Sequence, residues 1–548
     1  MDRSVRAMAA SVGVMLMGVT GIVAFGTASS ATGLPPATTT TTRPAVTTTT
    51  AKPVVPTTTA KPPATMAPVT TVAPVTTTTK PAAPGSALGT RLQSLKLVNY
   101  YPSTAAWTAM WTQWNATGID HDFAAIAALH ANAVRIIIQT TTFGYPTPSA
   151  TMLSRLNQTV ALASAHGLAV QLTLFDWWNG YSDLAGSHAW ANAVLSPYKG
   201  DPRIAFVEVK NEVDPTDPAV MAWARDMIPY VRSVSGLPVT ISTSGSVGLA
   251  GLRQLKAALG TSAPDFWDAH FYGSPAIAYS ALSQAIAIVA PAPLFVGETG
   301  APSGNGPTAP TDPFQEAVQS HYYRSVEWAT ASLGLPAAAP WTLQDFTAAA
   351  VPPAAGFPIT SGEYRMGLLR ADGSQKPAGQ ALQSFFGSGA VDTSFNSGFE
   401  SGSGTLPLEW SVNLPQQGTF AWDRTVAHSG SASVSLSRTG GNSSAIPSFF
   451  TSPIVVPLRT GEHFTAGVWA KGQSATGLNA VAIAWFDIAG NYLGNSVSSP
   501  LPLGTTGWTH LIVTSAAPAN GAYAQVHLAS GQNAGTVWFD DVTYQAVD

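Results

Sequence analysis

From residue 88 to about residue 388 two hydrophobic patterns alternate along the chain. Short β-branched or aromatic runs, LKLVN (95–99), AVRIII (133–138), LAVQLTLF (168–175), IAFVEVK (204–210), PVTIS (238–242), FWDAHF (266–271), PLFVG (293–297) and APWTL (339–343), read as buried strands. Between them lie stretches such as FAAIAALHAN and LNQTVALASAHG. Their apolar residues recur at three and four positions and they stop on Asn or Gly, as helices do. Eight such units in roughly 300 residues have the size and rhythm of a (β/α)8 TIM barrel. A doubly wound open sheet is the alternative, but no GxGxxG follows a strand.

Over 391–548 the pattern changes to short alternating runs: SASVSLS, FTAGVWAK, AVAIAWFDI, THLIVTS, YAQVHLAS and TVWFDDVTY, separated by Gly, Ser, Asn and Pro. This predicts a separate all-β antiparallel sandwich. Residues 34–87 are almost entirely Thr, Pro, Ala and Val with no period, which predicts a disordered, extended, solvated linker with Thr hydroxyls as glycosylation acceptors. Residues 1–33 carry Arg3 and Arg6, an uncharged stretch from Ala7 to Phe25 and then GTASSATG, the composition of an export signal. An uncleaved anchor is the alternative that the apolar length allows. Both readings place the remainder outside the cytoplasm, as a secreted protein.

Composition narrows the partners. Of the 548 residues only 10% are charged, 45% are apolar, and the net charge is −4. No basic excess is available to neutralise phosphate, so nucleic acid is excluded and a neutral, weakly charged substrate fits better. Cysteine is absent, which removes disulfides, thiol nucleophiles and Cys-ligated metals.

In a barrel of this type chemistry gathers where the strands end. The strand ends supply Arg135, then Asp176, Trp177 and Trp178, then Asn211 and Glu212, then His270 and Tyr272, then Glu298, and finally Trp341. Two carboxylic acids, a His, an Arg and several indoles suit the cleavage of a glycosidic bond. That reaction needs one carboxyl to protonate the leaving oxygen and a second, ionised, at the anomeric carbon. Environment must separate the two: charge pairing with Arg135 would keep one ionised, while poor solvation and a neighbouring negative charge keep the other protonated.

VKNEVDP on strand four, VGETG on strand seven, FWDAHFYG on strand six, VRI on strand two and PWTLQDF on strand eight, in this order, resemble the cellulase-type family 5 glycoside hydrolases. The resemblance spans residues 90–386, from the opening KLVNYYPS to the closing GLLRADGSQKPAGQAL. It implies a retaining double displacement with Glu212 as acid/base and Glu298 as nucleophile. It further implies that Asn211 bonds the sugar 2-hydroxyl, that Tyr272 and Arg135 hold Glu298 ionised, that His270 supports Glu212, and that Trp341 floors the sugar. A retaining enzyme of this kind sets its two carboxyl groups roughly 5 to 5.5 Å apart. Many family members have a histidine after strand three where this chain reads LFDWWNG, a departure that bears on the substrate rather than on the reaction.

Structural roles compete at several positions. Glu208 shares the parity of Glu212 but lies deeper, and is expected to pair with Lys210 or a buried donor. His270 competes with a role as a core histidine, and Asp176 divides between sugar contact and loop cap. Of Trp177 and Trp178, adjacent at a strand end, one is expected to reach the cleft. Trp107, Trp111 and Trp114 are expected to pack. A zinc hydrolase would want HExxH, which is absent, and His121 and His130 are too far apart for one helical face. STSGS (242–246) does not match the nucleophile elbow of a serine hydrolase.

NSGFE (396–400), LEWSV, AHSGSASVSLS and VWFDDVTY resemble the carbohydrate-binding jelly-roll modules attached to polysaccharide hydrolases. Trp410, Trp469, Trp508 and Trp538 are expected in the core, and Trp485 and Tyr492, flanking the turn FDIAGNY, on a stacking surface. A calcium ion on Glu400 and Asp541 is similar to what such modules carry; its remaining oxygens would come from the backbone. The expectation for the whole is a monomeric, exported, cofactor-free endo-β-1,4-glucanase acting on a polysaccharide. The alternatives are a β-mannanase, an exo-acting β-glycosidase or, from another class, a non-catalytic polysaccharide-binding protein.

Overall fold

The computed structural model describes residues 87–547 except 274, 392–395, 414–417, 439–446, 453–455, 458–460, 488–490 and 522. The expected signal (1–33) and all but the last residue of the expected linker (34–87) lie outside the described residues.

Strands β1 (Leu97–Asn99), β2 (Ala133–Gln139), β3 (Ala169–Asp176), β4 (Ile204–Glu208) and β5 (Val239–Thr240) pair in parallel in that order. After Ile241 the chain resumes as β6 (Ser242–Thr243), which pairs with β7 (Trp267–Phe271), and β7 with β8 (Leu294–Thr299). β5 and β6 are two halves of the fifth barrel position, and a Val213–Thr243 bridge ties the second half to the chain leaving β4. The eighth position, residues 339–343, makes only a Thr299–Pro340 bridge rather than a full strand. Pro340 offers no N–H to a ladder. The ring nevertheless closes there: Asn99 N donates to Pro340 O (3.1 Å) and Leu343 N donates to Asn99 O (3.1 Å). The result is the expected (β/α)8 arrangement.

All seven residues of β2 are buried, as are the five of β4, because helices cover the outside of the ring and side chains fill the inside. The helix Pro218–Ser235 shows how the sequence delimits the outer layer. The Asp217 carboxylate accepts from the amides of Ala219 and Val220, Gly236 ends the helix at φ 63°, and Val220, Met221, Ala224, Met227, Ile228 and Val231 face inward. A cap of this type contributes about 1 kcal/mol. Among the described residues no helix is long and apolar enough to cross a membrane.

The C-terminal region forms two antiparallel sheets. One contains Ser411–Asn413, Ser448–Thr451, Tyr523–Gly531, Leu478–Phe486 and Tyr492–Val497; the other contains Thr419–Asp423, Ser433–Arg438, Gly535–Val547, His463–Gln473 and Thr509–Ala516. Strand alternation corrects the expectation for its tryptophans. In Leu478–Phe486 the residues Val481, Ile483 and Trp485 point into the core, so Trp485 is buried and its indole donates to Ser496 Oγ (3.0 Å). In His463–Gln473 the core residues are Phe464, Ala466, Val468 and Ala470, which puts Trp469 on the opposite face. There Trp469 is half-buried and stacks with His428 (4.1 Å) and with His510 (4.9 Å). Trp508, also half-buried, stands edge-on to His428. Trp410 is buried in the core as expected, whereas Trp538, between the core residues Val537 and Phe539, is buried on the opposite face with its indole donating to Asp423 Oδ2 (2.7 Å), and Tyr492 is half-buried against Phe486.

Glu400 and Asp541, the pair expected to hold a calcium ion, both bond to the loop 428–431. Glu400 caps one loop, accepting from Ser431 N (2.9 Å) and Ser431 Oγ (2.7 Å), while Asp541 faces His428 Nδ1 (2.6 Å) and accepts from Ser429 Oγ (2.7 Å).

Candidate active site

Parallel register brings the polar residues of the strands to one end of the ring. Asn99 on β1 pairs with Arg135 on β2, and Thr173 on β3 pairs with Glu208 on β4. Arg135 is fully buried, where an unpaired guanidinium would be prohibitive, and every side of its planar fork is satisfied. Its Nε donates to Thr173 Oγ1 (2.8 Å) and Glu208 Oε2 (3.1 Å). Nη2 donates to Glu208 Oε2 (2.6 Å) and Asn211 Oδ1 (2.7 Å), and Nη1 donates to Asn99 Oδ1 (3.0 Å) and to Glu298 Oε1. Burial opposes the charge, but Glu208 and Glu298 raise the Arg135 pKa above its ordinary value.

Glu208 is the structural counter-ion of this bed. Burial works to raise its pKa, yet Arg135 and then His270 lower it, helped by hydrogen bonds from Ser242 Oγ (2.6 Å) and Thr173 Oγ1 (2.7 Å). The expected partner Lys210 goes elsewhere: its ammonium donates to Phe175 O (3.1 Å) and its charge acts on Asp176. Residues two apart share a face of the pleat, but beyond Glu208 the chain has left the β4 ladder, so parity no longer carries over.

Glu298, on β8, takes Arg135 on Oε1 and the Tyr272 hydroxyl on Oε2 (2.9 Å). Glu212 leaves β4 through a left-handed turn (φ 46°), with its amide donating to Ser242 Oγ (3.0 Å). Phe175 and Trp177, at the same end of the ring, have φ of 49° and 57°. Such backbone costs on the order of 1 to 3 kcal/mol per residue and clusters where side chains must be aimed. His270 Nδ1 lies 3.0 Å from Glu212 Oε1 and 3.3 Å from Glu298 Oε2. One oxygen of each carboxylate and the imidazole nitrogen all fall within 4.8 Å of one another. Burial acts against the imidazolium, but Glu298, followed by Glu212, pushes His270 up to about 9. Burial and the Glu298 charge hold the Tyr272 phenol well above its ordinary range, so it remains a donor.

The remaining expected residues surround this pair. Trp341 is buried, sits edge-on to Tyr101 (6.0 Å) and donates its indole N–H to Glu363 Oε1 (2.7 Å). Asp176 is buried and accepts from Gln139 Nε2 (3.2 Å), which also donates to Tyr101 OH (2.9 Å); burial raises its pKa and Lys210 opposes. Trp177 and Trp178 are both half-buried against the barrel core, Trp178 over Tyr145 (4.0 Å). Trp107 and Trp111 are packed inside, with Trp114 half-exposed beside them. Reading strand ends missed Asn99, Ser242, Asp268 and Glu363. Asn99 and Ser242 end the first strand and the first half of the fifth, where the same rule applies. Asp268 and Glu363 carry no such signal, since one lies mid-strand and the other in a loop.

Two sets of side chains have a spacing that a metal ion could use, Glu208/Asp268/His270 and Glu212/His270/Glu298. The Arg135 guanidinium already bonds Glu208 and Glu298, and its positive charge opposes a dication at either place.

No protein-family model matches this chain, and no curated protein does. Solved structures do. An exo-beta-1,4-mannosidase, Op5Man5, from Opitutaceae bacterium strain TAV5 is 20% identical over 54% of this chain and 59% of its own, with a TM-score of 0.44. This chain therefore spans less than two thirds of that protein. A GH5_18 protein from Streptomyces cattleya, a glutamate-to-alanine variant in complex with Manb1-4GlcNAc, is 19% identical over 55% of this chain and 82% of its own (TM-score 0.45). A GH5_18 variant from Bifidobacterium longum subsp. longum, also in complex with Manb1-4GlcNAc, is 19% identical over 54% and 78% (TM-score 0.45).

Proposed function

We propose that the barrel is a retaining β-glycosidase acting on neutral β-linked saccharides. The observation that carries this is the meeting of a Glu212 oxygen and a Glu298 oxygen within 4.8 Å at one end of the ring. Retaining enzymes hold their carboxyls about 5–5.5 Å apart, whereas inverting ones leave about 6.5–9.5 Å for a water. Glu298, gripped on both oxygens by Arg135 and Tyr272, attacks the anomeric carbon. Glu212 is the more exposed of the two (side chain 12% against 5%) and gives its proton to the departing oxygen as the glycosidic C–O bond breaks. Water then enters, Glu212 takes its proton, and the Glu298–sugar ester bond breaks to release the β-anomer. Asn211, whose amide oxygen accepts from Arg135, takes the sugar 2-hydroxyl in this reading.

Among neutral substrates, β-1,4-glucan is the reading from the motifs. Since the similar structures include a β-1,4-mannosidase and complexes with Manb1-4GlcNAc, β-mannosides enter the assay beside it. The test is the anomer first released from aryl β-glucosides and β-mannosides, followed by NMR, with Glu298→Ala and Glu212→Ala as variants. Glu298→Ala should be inactive on every substrate. Glu212→Ala should keep activity on a 2,4-dinitrophenyl leaving group and be rescued by azide with a β-glycosyl azide product. An initial α-anomer, or equal activity in wild type and Glu298→Ala, refutes the assignment. Export, and a sugar-binding role for the sandwich, belong to the same proposal; pull-down of the sandwich on insoluble β-glucan or β-mannan tests the latter.

A further inference from the structure

We propose that Glu363 is a substrate-contacting residue of this cleft, its carboxyl gripping a hydroxyl of the sugar whose bond is cleaved; the inference rests on the glycosidase reading. Glu363 lies on the short 3-10 turn Gly362–Arg365 and is 5% exposed. Its position is fixed twice over: its amide donates to Ser361 Oγ (3.1 Å), and its Oε1 accepts from the Trp341 indole (2.7 Å). Three other buried carboxylates of the barrel have a cationic partner, Glu208 with Arg135, Glu316 with Arg370 and Asp345 with Lys376, whereas Glu327 is held by Thr330 and the Ala338 amide and Asp268 by the Gly297 amide. Glu363 has no cationic partner among the described residues. Its Oε2 makes no hydrogen bond there, and it is not one of the occluded, unpartnered polar atoms, so it opens onto solvent.

A buried carboxyl held by one neutral donor, with its other oxygen open, is a costly feature in a core and a useful one facing a polar ligand. The cleft's own groups locate that opening. Trp341 ties Glu363 to the wall beside Tyr101, and the charges of Glu298 and Glu212 bear on it. Burial first, then those two charges, opposed by the Trp341 bond, push Glu363 up to about 7, so near neutrality its carboxyl both accepts from and donates to hydroxyls. A neutral sugar offers no cation; what it presents to such a group is hydroxyl. A site built to bond a particular hydroxyl rejects the analogue that lacks it far more strongly than an apolar contact rejects a missing methylene.

The test uses the full chain, the aryl β-glycoside that wild type hydrolyses, and its 2-, 3-, 4- and 6-deoxy analogues, with Glu363→Ala and Glu363→Gln. Glu363→Ala should lower kcat/KM on the parent about 10- to 100-fold, the range of a hydrogen bond to a charged group. Removing the contacted hydroxyl should cost wild type a similar factor and cost Glu363→Ala under about threefold, with the other deoxy penalties unchanged. Glu363→Gln keeps the bond from Trp341 and should recover part of the selectivity. If Glu363→Ala does not fold, the same comparison is made with Glu363→Gln alone. Identical deoxy penalties in wild type and variants, or a uniform change at all four positions, overturn the inference while leaving the glycosidase standing. A wild type that hydrolyses no aryl glycoside overturns both.

Discussion

Replacing Arg135 by methionine keeps most of the side chain's length and removes the guanidinium that sits between Glu208 and Glu298. Deleting one partner of a buried ion pair costs about 3–5 kcal/mol, because the survivor is left charged in a poor solvent. Arg135 serves two carboxylates and also satisfies Thr173, Asn99 and Asn211, so the upper end of that range applies. Against a total stability of about 5–15 kcal/mol this is a large share. Calorimetry of the full chain at pH 7 should show the barrel transition falling by at least about 6 °C, at roughly 2 °C per kcal/mol for a large domain, with the sandwich transition unmoved. Acidity supplies the sign. In the native protein Arg135 overcomes burial and holds Glu208 below its ordinary 4.5, which contributes stability above that pH and loses it as pH falls through the depressed value. In Arg135→Met burial is opposed only by His270 and the Ser242 and Thr173 hydrogen bonds, so protonation relieves the variant, and its deficit should shrink between pH 7 and pH 5. A loss under about 1 kcal/mol, or a deficit that widens on acidification, would refute the account of Arg135 as the charge that makes this floor soluble in the core.

Three further outcomes follow from the same geometry. His270, raised from 6.5 to about 9, contributes stability that is complete below pH 6.5 and lost as pH rises through 9. Urea titrations of wild type and His270→Gln should therefore show a gap about 3 kcal/mol smaller at pH 10 than at pH 6, and a constant gap contradicts it. Asp268, raised from 3.8 to about 7 by burial and then by Glu208, disfavours the fold once ionised. Asp268→Asn, which can still accept from Gly297 N, should gain on wild type by a few kcal/mol between pH 4 and pH 8; parallel stability curves would count against this. In the sandwich, Trp485→Ala should cost about 3–5 kcal/mol and Trp469→Ala about 1 kcal/mol or less, read by denaturation; equal costs would undo the assignment of the two faces.

The barrel was legible because its strands are buried on both sides and stand out as β-branched runs, and because parallel register converts strand ends into one neighbourhood. That logic led to Arg135, Asn211, Glu212, His270, Tyr272, Glu298 and Trp341, which the structure brings together. It failed where a residue's partner is set by packing rather than by position along a strand. For Glu208 the sequence left Lys210 or a buried donor open, and the buried donor, Arg135, distant in sequence and brought close by the fold, takes that carboxylate. Glu363 lies on a turn with no period, and only its bonds with the Trp341 indole and the Ser361 hydroxyl fix its place. Trp485 was placed by its turn FDIAGNY and Trp469 by its strand, and strand parity separates them cleanly once the inward residues of each strand are known.

Asn99 has a double attachment whose consequence reaches past the ring it completes. Its backbone joins the first barrel position to the last, its amide nitrogen donates to Gly297 O (2.9 Å), and its amide oxygen receives Arg135. Closing the ring and placing Arg135 thus fall to one residue, and a change in either duty is felt in the other. Anyone reshaping this cleft by mutation has more freedom in its rim than at the seam, where a substitution that loosens the hoop also takes an acceptor from Arg135.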